Sequence, residues 1–195
     1  MDFALLSTVN PALVPADALI IAMTIQGLTP TGLALDEASA GQLSAALKAA
    51  NFEAKLGQTV SLYRVNNISC PVIVVVGAGD SKEFNGRALQ KVAAQAYKTL
   101  NSKMQAAYSF LSELTVTDRA AAQVISDIAR STLEVDYRFD QFKSKKNEAN
   151  NITMTLVVGE ELANATGQAA LSWGQAVATG QSFARDLGNL PPNIC

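Results

Sequence analysis

Gly77-Ala78-Gly79 directly follows the apolar run 72–76 and precedes a helical pattern, where a strand-to-helix turn can hold a dinucleotide phosphate. The third glycine of that fingerprint is replaced by Lys82, whose side chain would hold helix and strand apart, and no ribose-binding acid is evident about twenty residues further on. The stretch therefore reads as a tight turn beside Asp80, with a small anion at the helix start as the remaining chemistry. The chain contains no histidine, which excludes Ser-His-Asp and Cys-His catalysis and the common zinc sites. Asp136 and Asp140 could pair, and Glu160 and Glu161 are adjacent, but neither set brings a third ligand or an orienting partner. Both read as solvated acids. Arg87, Lys91 and Lys98 fall within about 40° of one another on a helical wheel, and Lys143, Lys145 and Lys146 form a second basic cluster. Such groups could meet phosphates, yet no aromatic platform accompanies them, and solvated faces are the simpler reading.

The elements that must carry these residues follow from periodicity. Phe3, Leu5 and Val9 alternate with smaller or polar residues, and 18–23 is a compact apolar run; both predict strands. Leu43, Ala46, Leu47 and Ala50 share one face of a single helix predicted over 36–50. A strand at 59–65 precedes the run 72–76, which is apolar on every side chain and is placed at the centre of a sheet covered on both faces. A helix over 84–101, a strand over 106–111 and a helix N-capped by Thr117 come next. Ile152, Met154, Leu156 and Val158 alternate as a half-buried strand. A helix over 166–187 is closed by Gly188 in a left-handed position, with Pro191 and Pro192 beyond. Trp173, Val177, Ala184 and Leu187 share a face of it that reads as a packing seam, and Gly174 and Gly180 point to a close neighbour.

With 195 residues, of which 49% are hydrophobic, 16% charged and 6% aromatic, the chain can bury a Val, Ile, Leu and Ala core of the kind found where helices cover a mostly parallel sheet. The net charge of −2 supplies no global field for nucleic acid or anionic lipid. Cys70 and Cys195 are too few for a disulfide framework, the N-terminus lacks a basic targeting region, and the longest apolar run is too short to span a bilayer. These features are the ones expected of a cytoplasmic protein without a membrane partner.

Ala184-Arg185-Asp186-Leu187-Gly188-Asn189-Leu190-Pro191-Pro192-Asn193-Ile194-Cys195 resembles the segment by which leucyl aminopeptidases of peptidase family M17 (PepA-like) pass from an interdomain helix into their catalytic domain. Tyr137-Arg138-Phe139-Asp140-Gln141-Phe142-Lys143 resembles a second family segment, and Gly57-Gln58-Thr59 a third. The resemblance implies an α/β, macro-domain-like fold: a mixed, mostly parallel sheet of about six strands, helices on both faces and a long C-terminal interdomain helix. It implies a non-catalytic domain at 1–163, the interdomain helix at 164–190 and the start of a catalytic domain at 191–195. The full-length enzyme would be a cytosolic metallo-aminopeptidase and homo-hexamer. Two divalent metals, manganese or zinc, would polarise the peptide carbonyl and supply a hydroxide for release of N-terminal residues such as leucine. The metal ligands of the family lie in the catalytic domain, so this chain is assigned no catalytic, cofactor-binding or metal residue, and by itself no activity. Two alternatives stay open: a DNA-binding module of a PepA-like transcription or recombination factor, using the basic clusters, and a macro-like nucleotide-binding domain at residues 77–80.

Overall fold

The computed structural model describes residues 1–144 and 151–191. Its centre is a mixed sheet in the order β1 (Asp2–Ser7), β7 (Thr153–Val158), β6 (Ala106–Ser109), β2 (Ala18–Thr24), β5 (Val72–Gly79) and β4 (Thr59–Tyr63). The first five run parallel and β4 pairs antiparallel along β5, while the two-residue β3 (Gly27–Leu28) folds back on β2 as a short hairpin. The expected sheet of about six strands thus has six on its main path and β3 as a seventh. The run 72–76 lies one strand in from the β4 edge, with β2 and β6 at the centre.

Alternate side chains of the inner strands feed two separate cores, which is why these strands read as continuous apolar runs. Ile20, Val74 and Val76 pack with Leu89, Val92, Ile125 and Leu171 on one face. That face is covered by α3 (Gly86–Lys98), α4 (Ala121–Asp136) and α5 (Ala165–Asn189). Leu19, Ile21, Ile73 and Val75 pack on the other face with Leu35, Leu43 and Leu47, from α1 (Pro30–Ala38) and α2 (Gln42–Ala49).

Five local expectations give way for identifiable reasons. The helix predicted over 36–50 is broken in two, because Ala40 and Gly41 both adopt left-handed backbone (φ 53° and 82°) and Asp36 recaps the chain by accepting hydrogen bonds from the Ser44 amide (2.8 Å) and hydroxyl (2.6 Å). Thr117 does not cap α4. Its amide donates to the Phe84 carbonyl, and the cap position is Ala120, whose amide donates to Gln123 Oε1 (3.0 Å). The strand 153–158 is buried on both faces rather than half buried, because Met154, Leu156 and Val158 enter the core under α3, α4 and α5 while Thr155 is buried on the other side, where Val157 packs against the second core. Gly188 stays inside α5, and the helix stops instead at Leu190, which turns extended (φ −68°, ψ 139°) ahead of Pro191. Val9 falls outside β1.

Gly77 shows what the glycines at the end of β5 are for. Residues 54–58 cross this strand end as a close backbone neighbour: Gly57 N donates to Gly77 O (2.8 Å), Gly77 N to Gln58 O (2.7 Å) and Gly79 N to Ala54 O (2.9 Å). Any Cβ on Gly77 would overlap the Lys55 carbonyl oxygen, a backbone atom that cannot swing aside. Gly77→Ala is therefore expected to destabilise the fold by about 1–3 kcal/mol, the usual cost of overpacking, measured as a lower urea midpoint at unchanged slope.

Candidate functional site

In open, mostly parallel sheets ligands are held beyond the carboxyl ends of the strands. Here that edge carries the hairpin after β2 and the turns after β5, β6 and β7, with clefts between them. The cleft after β5, of about 400 Å³, is lined by Leu56, Asp80, Phe84, Arg87 and Lys91. It is the place where the sequence allows an anion.

The helix start beside it is already occupied by the protein's own acceptors. Gly86 N donates to Asp118 Oδ1 (2.7 Å), Arg87 N and Ala88 N donate to Asn85 Oδ1 (3.0 and 3.1 Å), and Leu89 N donates to the Asn85 carbonyl (3.0 Å). The Leu89 bond is the first of the helix itself, and the Gly86, Arg87 and Ala88 amides, which a helix leaves open at its N-terminus and a phosphate would use, are satisfied. Arg119 seals the end: it donates to Asp127 (2.8 Å) and Asp118 (3.1 Å) and lies so close to Gly86 that a Cβ there would overlap the guanidinium. The bond to Asp127 raises the Arg119 pKa further and keeps the group charged.

Asp80 belongs to the same turn. It accepts hydrogen bonds from Lys82 N (3.0 Å) and Gln26 Nε2 (2.7 Å), and these, the Lys82 amide foremost, hold its carboxyl below the usual carboxylate range. Lys82 thus enters through its backbone, tying the turn after β5 to the hairpin after β2. The neighbouring cleft, about 240 Å³, is lined by Thr8, Thr31, Ser112 and Glu113, with no lysine or arginine. Glu113 accepts from Thr31 N (3.1 Å), so a carboxylate stands where an anion would have to sit.

The other candidate residues scatter. Asp136 accepts from Tyr97 Oη (2.6 Å) while Asp140 pairs with Lys143 (2.6 Å), so the two carboxylates take different partners. Glu160 accepts from Thr8 Oγ1 (3.4 Å), and Glu161 folds over Gly159. Arg87 and Lys98 share a face of α3 but lie about 16 Å apart along it at 1.5 Å per residue, and Lys91 lays its stem beside Gly57. Lys145, Lys146 and Cys195 lie outside the described residues. Cys70 is buried, donates to the Val72 carbonyl (3.3 Å) and has its thiol pKa pushed up by burial. Among the described residues no three His, Cys, Asp or Glu side chains converge to hold a metal ion, so they do not fit a metal centre. Nor, among them, is any helix long and apolar enough to cross a membrane.

What the geometry does bring together is the pair of segments that carry the sequence resemblance. Tyr137, just past α4, donates from Oη to Asp186 Oδ1 on α5 (2.8 Å) and accepts from Asn189 Nδ2 (3.2 Å). The Arg185 guanidinium lies 5.3 Å from the Tyr137 ring centroid and donates to the Glu134 carbonyl (3.2 Å). Burial, with the Asp186 carboxylate second, raises the Tyr137 pKa and keeps the phenol protonated as a donor. This clamp fixes the end of α5. Sequence reasoning marked both segments without seeing that they touch, since 49 residues separate Tyr137 from Asp186.

Comparison with known proteins gives the chain its relatives. The Cytosol aminopeptidase family, N-terminal domain, matches residues 21–146. A probable cytosol aminopeptidase of Azotobacter vinelandii is 37% identical over 170 residues, 86% of this chain and 34% of that protein. One from Dechloromonas aromatica is 38% identical over 164 residues, 83% and 33%. The chain thus spans about a third of the length of the relatives it matches. Among solved structures, a tomato leucine aminopeptidase mutant shares the fold over 100% of this chain and 39% of its own, at TM-score 0.78 and 21% identity. The bottromycin maturation enzyme BotP covers 90% of this chain and 33% of its own (TM-score 0.68, 19% identity).

Because the Gly86, Arg87 and Ala88 amides at the start of α3 are engaged, millimolar ADP-ribose or inorganic phosphate is expected to leave the melting temperature unchanged. Asn85→Ala, which removes the cap, is expected to cost about 1 kcal/mol. Differential scanning fluorimetry with and without ligand reads both, and a ligand-induced rise in melting temperature would contradict the closed helix start.

Proposed function

The chain belongs to the cytosol aminopeptidase family, as that family's N-terminal domain, and from that premise we propose that it is the non-catalytic part of a longer metallo-aminopeptidase. The complete protein releases N-terminal amino acids such as leucine from peptides in the cytoplasm. Its two divalent metals, manganese or zinc, are held by residues beyond this chain, and its subunits assemble as a hexamer. Residues 1–163 form the N-terminal domain, 164–190 the interdomain helix, and 191–195 lead into the catalytic part.

The observation that carries this reading is one of proportion. Relatives at 37% and 38% identity are about three times as long as the stretch they share with this chain. In this chain several of the acids are spent on structure: Asp80 ties two turns, Asp118 and Asp127 hold Arg119, Asp186 holds Tyr137. The neighbour BotP has been solved in complex with Mn, which supports a divalent metal in the complete protein. The role proposed for this domain is accordingly to shape access to the catalytic part and to seat it, with no residue here contacting the substrate.

The test is Mn²⁺-dependent hydrolysis of leucine p-nitroanilide by the 195-residue chain beside the full-length gene product. Activity confined to the full-length protein is expected. Hydrolysis by the 195-residue chain would overturn the placement of the chemistry, and an inactive full-length protein loaded with manganese or zinc would overturn the aminopeptidase reading itself.

A further inference from the structure

α5 is 25 residues long, about 37 Å at 1.5 Å per residue, and it carries two seams. Gly167, Leu171, Gly174 and Ala178 are buried against the body of the domain. Trp173, Val177, Gly180, Ala184 and Leu187 recur at alternating spacings of four and three, the pattern of a helix–helix seam. They lie roughly 130° around the helix from the buried set at 3.6 residues per turn. The spacing marks this second stripe as a packing seam, and the structure leaves it uncovered: Trp173 is 68% exposed, Leu187 43% and the flanking Phe183 63%.

The glycines separate the two seams more sharply. Gly174 has an internal reason, since a Cβ there would overlap the Ser126 carbonyl oxygen of α4. Gly180 has none, because a Cβ there would meet nothing within 4 Å. A mid-helix glycine weakens a helix relative to alanine, and at an open position that cost is explained by a backbone that comes close in the complete protein. Trp and Phe side chains each bury roughly 150–250 Å² when covered, so an uncovered pair with a leucine approaches the patch sizes that mark interaction surfaces.

We propose that the Trp173, Val177, Gly180, Ala184 and Leu187 face of α5 is the docking seam for the remaining two-thirds of the same polypeptide, which lays an apolar element against it and approaches most closely at Gly180. This rests on the reading of the chain as one domain of a longer protein. The occupant follows from that length: the relatives continue for twice as many residues again beyond the shared third. A covering element on the same polypeptide also meets the seam at high effective concentration, which a second copy does not. The clamp of Tyr137 on Asp186 holds the seam in a fixed orientation before anything docks.

The experiment compares two variants in two contexts. Gly180→Leu and the pair Trp173→Ser with Leu187→Ser alter only exposed positions of the 195-residue chain, where melting temperature is expected to stay within about 1 °C or rise slightly for Gly180→Leu. In the full-length protein both are expected to lower it by about 3 °C or more and to speed protease cleavage near residue 190. Equal tolerance in both contexts overturns the proposal. So does a 195-residue chain that sediments as a dimer and becomes monomeric with Gly180→Leu, because the seam then belongs to a second copy. Leucine p-nitroanilide activity of the unaltered full-length protein is read separately, so that failure of the aminopeptidase reading and failure of the seam are distinguishable.

Discussion

Gly174 lies so close to the Ser126 carbonyl that no side chain fits between α5 and α4, and this contact sets the rotation of α5 about its own axis. Once Gly174 faces inward, Leu171 and Ala178 follow it into the core by helical spacing, and Trp173 and Leu187 are turned to the outside. Tyr137 and Asp186 fix the far end of the same helix, so its direction as it leaves the domain is held at two points. A helix held in this way is a rigid arm. That is the property the proposed role, seating the rest of a longer protein, asks of it.

The sheet beneath is built for rigidity rather than for binding. Its inner strands divide their side chains between two apolar cores, and the polar groups at its ligand-competent edge are engaged by the protein's own partners. Asn85 and Asp118 take the α3 amides, Arg119 covers Gly86, and Asp80 bridges neighbouring turns through Lys82 and Gln26. Each buried or half-buried polar group that meets such a partner costs little to keep and leaves less for a ligand to use. An edge that binds elsewhere in α/β proteins is here spent on holding loops together.

Much of this was legible in sequence because strand and helix periods are strong local signals. The run 18–23 read as a strand and 72–76 as a strand covered on both faces, and Leu43 with Leu47 marked a helix face that is indeed buried. What was not legible depended on contacts distant in sequence or on backbone choices without a side-chain signature. The break at Ala40 and Gly41 turns on an alanine with positive φ, and Ala120 caps α4 only because Gln123 reaches back to it. The Trp173 stripe was read as a seam, which its spacing supports, but spacing alone cannot say whether a seam faces the body of the domain or away from it.

The orientation of α5 is the claim on which the rest turns, and Trp173, the only tryptophan in the chain, reports on it directly. Acrylamide quenching of tryptophan fluorescence in the dilute 195-residue chain is the measurement. The account predicts red-shifted emission and quenching close to that of a free indole; blue-shifted, protected emission would show that α5 is rotated or already covered, and would contradict it.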